Sequence, residues 1–343
     1  ASSDNGEEIV ILACEQSVKK ANFINNLSIG EHIFLVADEC HFLWAKGANK
    51  IIQEEWYGCP RLGLSATPED TPYEDRVVDN SKIDVVEFFG GKKIAKNKYE
   101  FTEVFTINQA INAKPPVLTR YYYYPIAVKL TELEMKDYKD KTDWYNSERH
   151  KSDDNNPEDQ NKLKIILSLR AQIAKNAKNK EVKCIDIITS RNFKEHTINP
   201  ERQSWLVFIG AGQGTEDEDR QIERYNSLLT TNLPSVNVVP FFGDMIRKKS
   251  KKEEILATFK RTQGVLIGCK MLDQGIDIPE LSMGMILASS KNTRTFIQRR
   301  GRLLRIHNTN KVHKKEYTVI FDILVMPDFN YYNADSDENS FVN

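Results

Sequence analysis

The apolar positions of this chain form short unbroken runs, separated by stretches that are polar or have a helical pattern. Runs of this kind are typical of strands buried on both faces of a parallel sheet. The first three cover residues 9–12, 33–37 and 62–68, and residues 16–27 have the pattern of a helix. The succession of strand, helix and strand predicts an α/β fold.

The same succession returns beyond residue 200. Five apolar runs predict strands at residues 205–209, 236–241, 265–268, 283–287 and 317–325, and helical patterns cover residues 216–229, 251–261 and 293–304. Because strands and helices alternate again, we expect a second parallel sheet that is covered by helices.

The region between the two sets has a helical period. Apolar residues recur every three or four positions from residue 126 to about 187, except in the hydrophilic segment 143–161. Two long helices around a solvent-exposed loop are expected. A chain of 343 residues also exceeds one ordinary core. The predicted segments are a first domain at 1–115, a helical connector at 116–200, a second domain at 201–330 and a frayed tail at 331–343.

Composition narrows the class of protein. A hydrophobic share of 40%, a charged share of 28% and a mean hydropathy of -0.52 indicate a globular chain. The five cysteines form no Cys-x-x-Cys pair, so we expect neither a disulfide framework nor a zinc knuckle. No apolar stretch approaches the roughly 20 residues of a membrane span, so no membrane partner is expected. The expected compartment is reducing, either the cytoplasm or a eukaryotic nucleus.

Two adjacent carboxylates follow one of the predicted strands. Asp38 and Glu39 stand at the C-terminal end of the run at 33–37, where open α/β sheets bind their ligands. Asp38 could hold a magnesium ion through water while Glu39 polarises an attacking water, as in nucleotide hydrolysis. The alternative is that the pair caps the helix that follows.

A dense group of guanidinium side chains marks the predicted helix at 293–304. Gln298, Arg302 and Arg305 fall at i, i+4 and i+7 and would share one helical face. Because arginine donates two parallel hydrogen bonds to a phosphoryl group, an arginine-finger role is the sharper hypothesis. A solvated basic face is the alternative.

Charge is unevenly distributed along the chain. The net charge is only -1, which argues against a histone-like non-specific binder, yet residues 291–315 include nine Lys or Arg and no Asp or Glu. This basic run is either a solvated face or a polyanion site. Two other strand ends, Ser65 with Thr67 and the glycine turn at 272–279, are weak signals by themselves.

Taken in order, these segments resemble the motifs of superfamily 2 helicases. Asp38-Glu39-Cys40-His41 is similar to motif II, Ser65-Ala66-Thr67 to motif III, residues 272–279 to motif V and residues 298–305 to motif VI. Residues 9–17 resemble motif Ib, and residues 205–210 resemble motif IV. The form Gln-Arg-Arg-Gly-Arg-Leu-Leu-Arg is closest to the XPB-like and restriction-enzyme-like branch. The resemblance covers nearly the whole chain.

The resemblance implies two RecA-like parallel-sheet domains, the first incomplete, joined by a helical segment and using ATP and Mg²⁺. It also implies roles for individual residues. The catalytic group would be Asp38 (magnesium, through water), Glu39, Gln298, Arg302 and Arg305. The residues that couple hydrolysis to movement would be His41, Ser65 and Thr67.

Further implied contacts concern the nucleotide and the nucleic acid. Gly275 and Asp277 would lie near the nucleotide, and Gln16, Ser17 and Lys270 would contact nucleic acid. Cys269 stands where the family commonly has Thr, which puts a hydroxyl contact to phosphate in doubt at that position.

One motif of the family does not occur in this chain, because no Gly-x-x-x-x-Gly-Lys-Ser/Thr is found. We therefore expect a C-terminal portion or split subunit of a longer helicase, with the P-loop segment supplied in cis or in trans. The expected function is that of an ATP-dependent DNA helicase or double-strand translocase in restriction, repair or phage defence. DNA is favoured over RNA as the partner. An RNA helicase and a non-catalytic nucleic-acid-binding module remain alternatives.

Overall fold

The computed structural model divides the chain into two compact units, Ala1–Thr106 and Ile107–Asn343. The residues it describes are 10–13, 32–44, 58–67, 84–95, 98–189, 204–210, 215–241, 249–262, 264–269, 278, 280–288, 293–306 and 315–326. Within these ranges, no helix combines the length and the apolar character that a membrane crossing requires.

The first unit contains a pair of short parallel strands. Strand β1 (Leu35–Asp38) pairs with β2 (Arg61–Leu64), and a 3-10 helix (Cys40–Trp44) follows β1. The other elements are α1 (Val85–Phe88) and an antiparallel ribbon of β3 (Lys92–Ala95) and β4 (Lys98–Glu100). The Asp84 carboxylate caps α1 by accepting hydrogen bonds from two backbone amides of its first turn.

Two predictions for the first unit are wrong. Burial alternates along β1 and β2, so these strands are not buried on both faces. Val36 is 52% exposed and Leu62 is 43% exposed, because protein covers only one of the two faces to which successive side chains point. The described residues of the predicted strand at 9–12 also form no strand, and Leu12 is 93% exposed.

The second unit alternates strands and helices from its beginning. It contains α2 (Ile107–Asn112), β5 (Arg120–Val128), α3 (Glu132–Arg149), α4 (Pro157–Lys175), α5 (Lys178–Thr189), β6 (Ser204–Phe208), α6 (Thr215–Asn232), β7 (Val238–Pro240), α7 (Lys249–Thr262), β8 (Gly264–Gly268), β9 (Met283–Ile286), α8 (Thr293–Leu303) and β10 (Tyr317–Val325).

The described strands of this unit form one six-stranded parallel sheet in the order β5-β10-β9-β6-β8-β7. The predicted α/β fold is confirmed. Strand β5 lies where the sequence predicts the helical connector at 116–200, and the compact division falls after Thr106 instead of residue 115. The reason is that residues 120–128 pair along their whole length with β10, so they belong to the sheet.

Helices cover the sheet on both faces. On one face, Trp205 and Val207 of β6 pack in a cluster with Ile187 of α5 and Leu229 of α6. A second cluster covers the other face. It contains the alternate residues of β6 together with Phe259 of α7 and Leu303 of α8. Every residue of β6, β8 and β9 is buried, as the unbroken apolar runs predict.

The two long helices of the middle region extend further into the hydrophilic segment than predicted. Helix α3 continues to Arg149, and α4 begins at Pro157, so the loop is shorter than residues 143–161. Helix α4 begins there because the Asn156 side chain caps it and Pro157 occupies its first position, where no backbone donor is needed. Thr131 and Glu134 form a capping box at the start of α3.

Both edges of the six-stranded sheet contain a proline. Pro125 lies in β5, and Pro240 ends the three-residue β7. Proline has no backbone N–H to offer to a further strand, so each edge resists extension by another chain.

Gly264 begins β8 with a φ of 114°, and a Cβ at this position would overlap the Asn237 carbonyl oxygen. We expect Gly264→Ala to lower the free energy of unfolding by at least ~2 kcal/mol, through backbone strain and the overlap. Urea unfolding of the chain measures this. The control is Gly301→Ala in α8, where a Cβ meets nothing within 4 Å. Equal midpoints for wild type and Gly264→Ala would contradict the prediction.

Candidate functional site

Asp38 and Glu39 lie where β1 ends. Asp38 is exposed, and its Oδ1 accepts a hydrogen bond from the Glu39 amide at 3.0 Å. Glu39 has a φ of 51°, a left-handed conformation that is uncommon for a residue other than glycine. Such conformations concentrate at functional sites, where the surrounding structure holds them. The turn directs the chain straight from β1 into the 3-10 helix.

His41 connects the two segments that resemble motifs II and III. Its Nδ1 lies 2.9 Å from the Ser65 Oγ and 3.2 Å from the Glu39 Oε2. In the hydrogen bond with Ser65 the imidazole nitrogen donates or accepts according to its tautomer, and the contact with Glu39 is an ion pair when the imidazole is protonated. The Ser65 Oγ also accepts a hydrogen bond from the Thr67 amide at 3.1 Å. The structure thus brings together all three predicted coupling residues.

Cys40, between Glu39 and His41, is not a nucleophile in this arrangement. Its side chain is buried, and burial, followed by the charge of Glu39, raises the pKa of its thiol to about 11. A neutral buried thiol packs as a small apolar group.

In the second unit, Gln298 and Arg302 lie on α8, and both are half-buried. Arg305 does not continue the helix. Helix α8 ends at Leu303, and Arg305 instead forms an isolated antiparallel bridge with Leu118. The prediction that Gln298, Arg302 and Arg305 share one helical face therefore holds only for Gln298 and Arg302. Beyond Leu303 the carbonyls accept hydrogen bonds from Thr119 and Lys315, which lie just before β5 and β10.

Two further arginines of α8, Arg299 and Arg300, contact the unit itself. Arg299 is buried, donates a hydrogen bond of 2.8 Å to the Ala288 carbonyl, and places its guanidinium 5.2 Å from the centre of the Phe208 ring. The guanidinium of Arg300 lies 5.2 Å from the Phe296 ring and 5.8 Å from the Tyr121 ring. Cation–π contacts of this kind fix α8 on the sheet.

Lys315, the last residue of the basic run, is also not a surface charge. Its ammonium donates hydrogen bonds to the carbonyls of Leu303 and Arg305. With Arg299 buried as well, the run at 291–315 is not a uniform solvated face. Lys291, Lys311 and Lys314 lie outside the described residues.

Several predicted contact residues lie outside the described residues. These are Gln16, Ser17, Lys270, Gly275 and Asp277. Cys269 is described and buried, and its Sγ contacts the Gly210 carbonyl at 3.4 Å. Among the described residues, no group of three or more His, Cys, Asp or Glu side chains could hold a metal ion.

A partly buried polar cluster that the sequence interpretation missed joins β5, β10 and α5. The Tyr123 hydroxyl donates a 2.6 Å hydrogen bond to Asp322, and Lys180 donates one of 2.6 Å to the Leu287 carbonyl. Burial lowers the pKa of Lys180 to about 8, against the attraction of the Asp322 charge. Burial and the hydrogen bond to Asp322 raise the pKa of Tyr123. The signal in the sequence was Asp322, the single carboxylate in an apolar strand.

The depressed pKa of Lys180 predicts a pH dependence of stability. Between pH 8 and 10.5 the unfolded chain binds this proton and the folded chain does not. The contribution of Lys180 to the free energy of unfolding therefore rises with pH in this window, by at most ~1.4 kcal/mol per pH unit, and is lost as the pH falls through 8. Urea unfolding of wild type and Lys180→Met at several pH values tests this, and parallel curves would contradict it.

Part of the second unit is similar to a known protein family. Residues 201–307, which include β6 to α8 and Arg305, match the family described as helicase conserved C-terminal domain. The residues that resemble motif VI, namely Gln298, Arg302 and Arg305, fall inside this match.

Two relatives agree with this match. The chain is 23% identical over 313 residues to the DNA 3'-5' translocase XPB2 of Sulfurisphaera tokodaii, covering 88% of this chain and 61% of that protein. Its fold is similar to that of an ATP-dependent Type ISP restriction-modification enzyme, LlaBIII, bound to DNA, with a TM-score of 0.52 at 18% identity, over 92% of this chain and 19% of that chain. The family match and the translocase relative support the predicted resemblance to superfamily 2 helicases.

Proposed function

We propose that this chain is part of an ATP-dependent DNA helicase or double-strand translocase. The observation that supports this most directly is the contact of His41 with Ser65, which joins the segments resembling motifs II and III. The hydrogen bond between His41, two residues after Glu39, and Ser65, at the next strand end, is a path by which a change at the nucleotide would reach the rest of the unit.

The residues of the first unit fit the proposed hydrolysis. Asp38 is an exposed carboxylate at the end of a parallel strand, which suits a magnesium ion held through water. When bound, Mg²⁺ and ATP supply the phosphoryl group and neutralise its charge. Glu39 would take the proton of the water whose oxygen attacks the γ-phosphorus, while the bond to the bridging oxygen breaks.

The residues of the second unit would act on the charge that develops during transfer. Arg302 and Arg305 are the candidates for arginine fingers, and Gln298 would help to orient the phosphate. Arg299 and Arg300 would act through the fold, because they contact Ala288, Phe296 and Tyr121 of their own unit.

The proposed partners follow from the motif set and the relatives. DNA is favoured over RNA because the translocase relative is named for DNA and the restriction enzyme is bound to it. A role in restriction or phage defence would accord with the second relative, and the cytoplasm, or a eukaryotic nucleus, would be its compartment. The P-loop, which this chain does not contain, would be supplied in cis or in trans.

The test is ATP hydrolysis by a protein that combines this chain with its P-loop segment. We expect turnover that duplex DNA stimulates more than single-stranded DNA or RNA does, and poor turnover by residues 1–343 alone, since positioning supplies most of the catalysis in phosphoryl transfer. Stimulation by RNA alone would favour an RNA helicase. Saturable, salt-sensitive DNA binding without hydrolysis would favour a non-catalytic module.

A further inference from the structure

The carboxyl end of α8 is held by residues that the helicase motifs do not include. A helix leaves its last carbonyls without partners in the helix, so they need donors from elsewhere. Here three consecutive carbonyls, those of Leu303, Leu304 and Arg305, accept hydrogen bonds from residues at the beginning of β5 and β10.

Three residues supply these donors. The Thr318 hydroxyl donates to the Leu303 carbonyl at 2.9 Å. Thr119 donates from its amide to the Leu304 carbonyl at 2.8 Å and from its hydroxyl to the Arg305 carbonyl at 3.3 Å. The Lys315 ammonium donates to the carbonyls of both Leu303 and Arg305, and its Nζ lies 3.0 Å from the Arg305 carbonyl oxygen. We call Thr119, Lys315 and Thr318 the α8 clamp.

The α8 clamp is built into the fold. Thr119 and Thr318 are buried, as are Leu303 and Leu304. Thr318 lies in β10 and Thr119 directly precedes β5, and the adjacent residues Tyr317 and Arg120 are directly paired in the sheet. Burial lowers the pKa of Lys315 to about 7, while the charge of Glu280 acts in the opposite direction. A cation at the carboxyl end of a helix also interacts favourably with the helix dipole.

The α8 clamp acts next to the two proposed arginine fingers. Arg302 precedes Leu303 directly, and the Arg305 carbonyl is itself bound by Lys315 and Thr119. Arg299 also holds this helix, through the Ala288 carbonyl. The backbone that carries both proposed fingers is thus held by residues at the end of the sheet where β5 and β10 begin.

We propose that Lys315, Thr119 and Thr318 are positioning residues, which set Arg302 and Arg305 for transition-state contact. This inference rests on the proposed function. A displacement of about 1 Å in a catalytic group can cost ~10²-fold in rate without a comparable loss of binding. The α8 clamp is therefore a determinant of kcat that lies outside every helicase motif recognised in the sequence.

The test compares Thr318→Val, which keeps the shape but removes the donor, with Thr318→Ser, which keeps the donor; Lys315→Met is a second loss variant. Hydrogen exchange of the Thr119 and Leu304 amides in this chain reports on the clamp without any need for catalysis. Steady-state kinetics of the P-loop-containing protein report on the fingers. Far-UV circular dichroism checks that each variant is folded.

We expect Thr318→Val and Lys315→Met to accelerate exchange at both amides and to lower kcat by ~10- to 100-fold with KM for ATP little changed, and Thr318→Ser to restore both. Unchanged exchange would show that there is no clamp. Faster exchange with unchanged kcat would reduce the clamp to a structural role and overturn the proposal. An inactive wild-type protein would refute the proposed function itself, and the positioning role with it.

Discussion

Alanine in place of Arg302 or Arg305 should slow ATP hydrolysis by ~10³–10⁵-fold in the P-loop-containing protein, while nucleotide affinity changes much less. The reason is that an arginine finger acts on charge that develops in the transition state. Single-turnover kinetics together with equilibrium binding of ATP would separate the two effects. The exposed Arg261, on α7 of the same unit, provides a control in Arg261→Ala, which should retain the wild-type rate.

Arg299 and Arg300 should respond differently from the proposed fingers. Arg299→Ala removes a buried donor from the Ala288 carbonyl and a cation from the Phe208 ring, so its main effect should be a lower melting temperature. Equal losses of rate at all four arginines, with unchanged melting temperatures, would contradict the finger assignment and indicate a general basic patch.

The second large effect is expected at Glu39. Glu39→Gln keeps the size and shape of the side chain but cannot take up a proton, so hydrolysis should fall by ~10²–10⁴-fold. ATP binding and DNA binding should persist, because neither requires proton transfer. Rapid-quench kinetics with the P-loop-containing protein measure the chemical step directly.

A matched control is available in the same unit. Glu87 is exposed on α1, and Glu87→Gln should leave the rate unchanged. Wild-type turnover by Glu39→Gln would remove Glu39 from the role of general base. Loss of both ATP binding and turnover would instead indicate that the left-handed turn at this position had been disturbed.

The sequence was sufficient to predict the strands whose burial is complete. β6, β8 and β9 are apolar at every position and buried at every position. β5 was missed, because an edge strand has an exposed side and its run of tyrosines gives no clear period. These residues form a strand because they pair with β10. That partner lies far away in the sequence, so no local pattern could predict the pairing.

The candidate site was predictable in part. Local pattern placed Asp38 and Glu39 at a strand end, but the contact between His41 and Ser65 was not predicted, since the resemblance implied only that both belong to the coupling residues. The prediction extended the helical spacing to Arg305, which lies two residues beyond the end of α8. Helix α8 ends where Thr119, Lys315 and Thr318 bind its carbonyls, and these donors belong to distant segments.

The pairing of β5 with β10 also sets the order of events during synthesis. Tyr123 and Asp322, which are hydrogen-bonded across these strands, are separated by 199 residues. A ribosome that adds ~5–20 residues per second needs roughly 10–40 s to make that stretch. Through this interval the tyrosine-rich strand leaves the exit tunnel without its partner, and Pro125 within it counters aggregation. The sheet becomes complete only when its last strand is released.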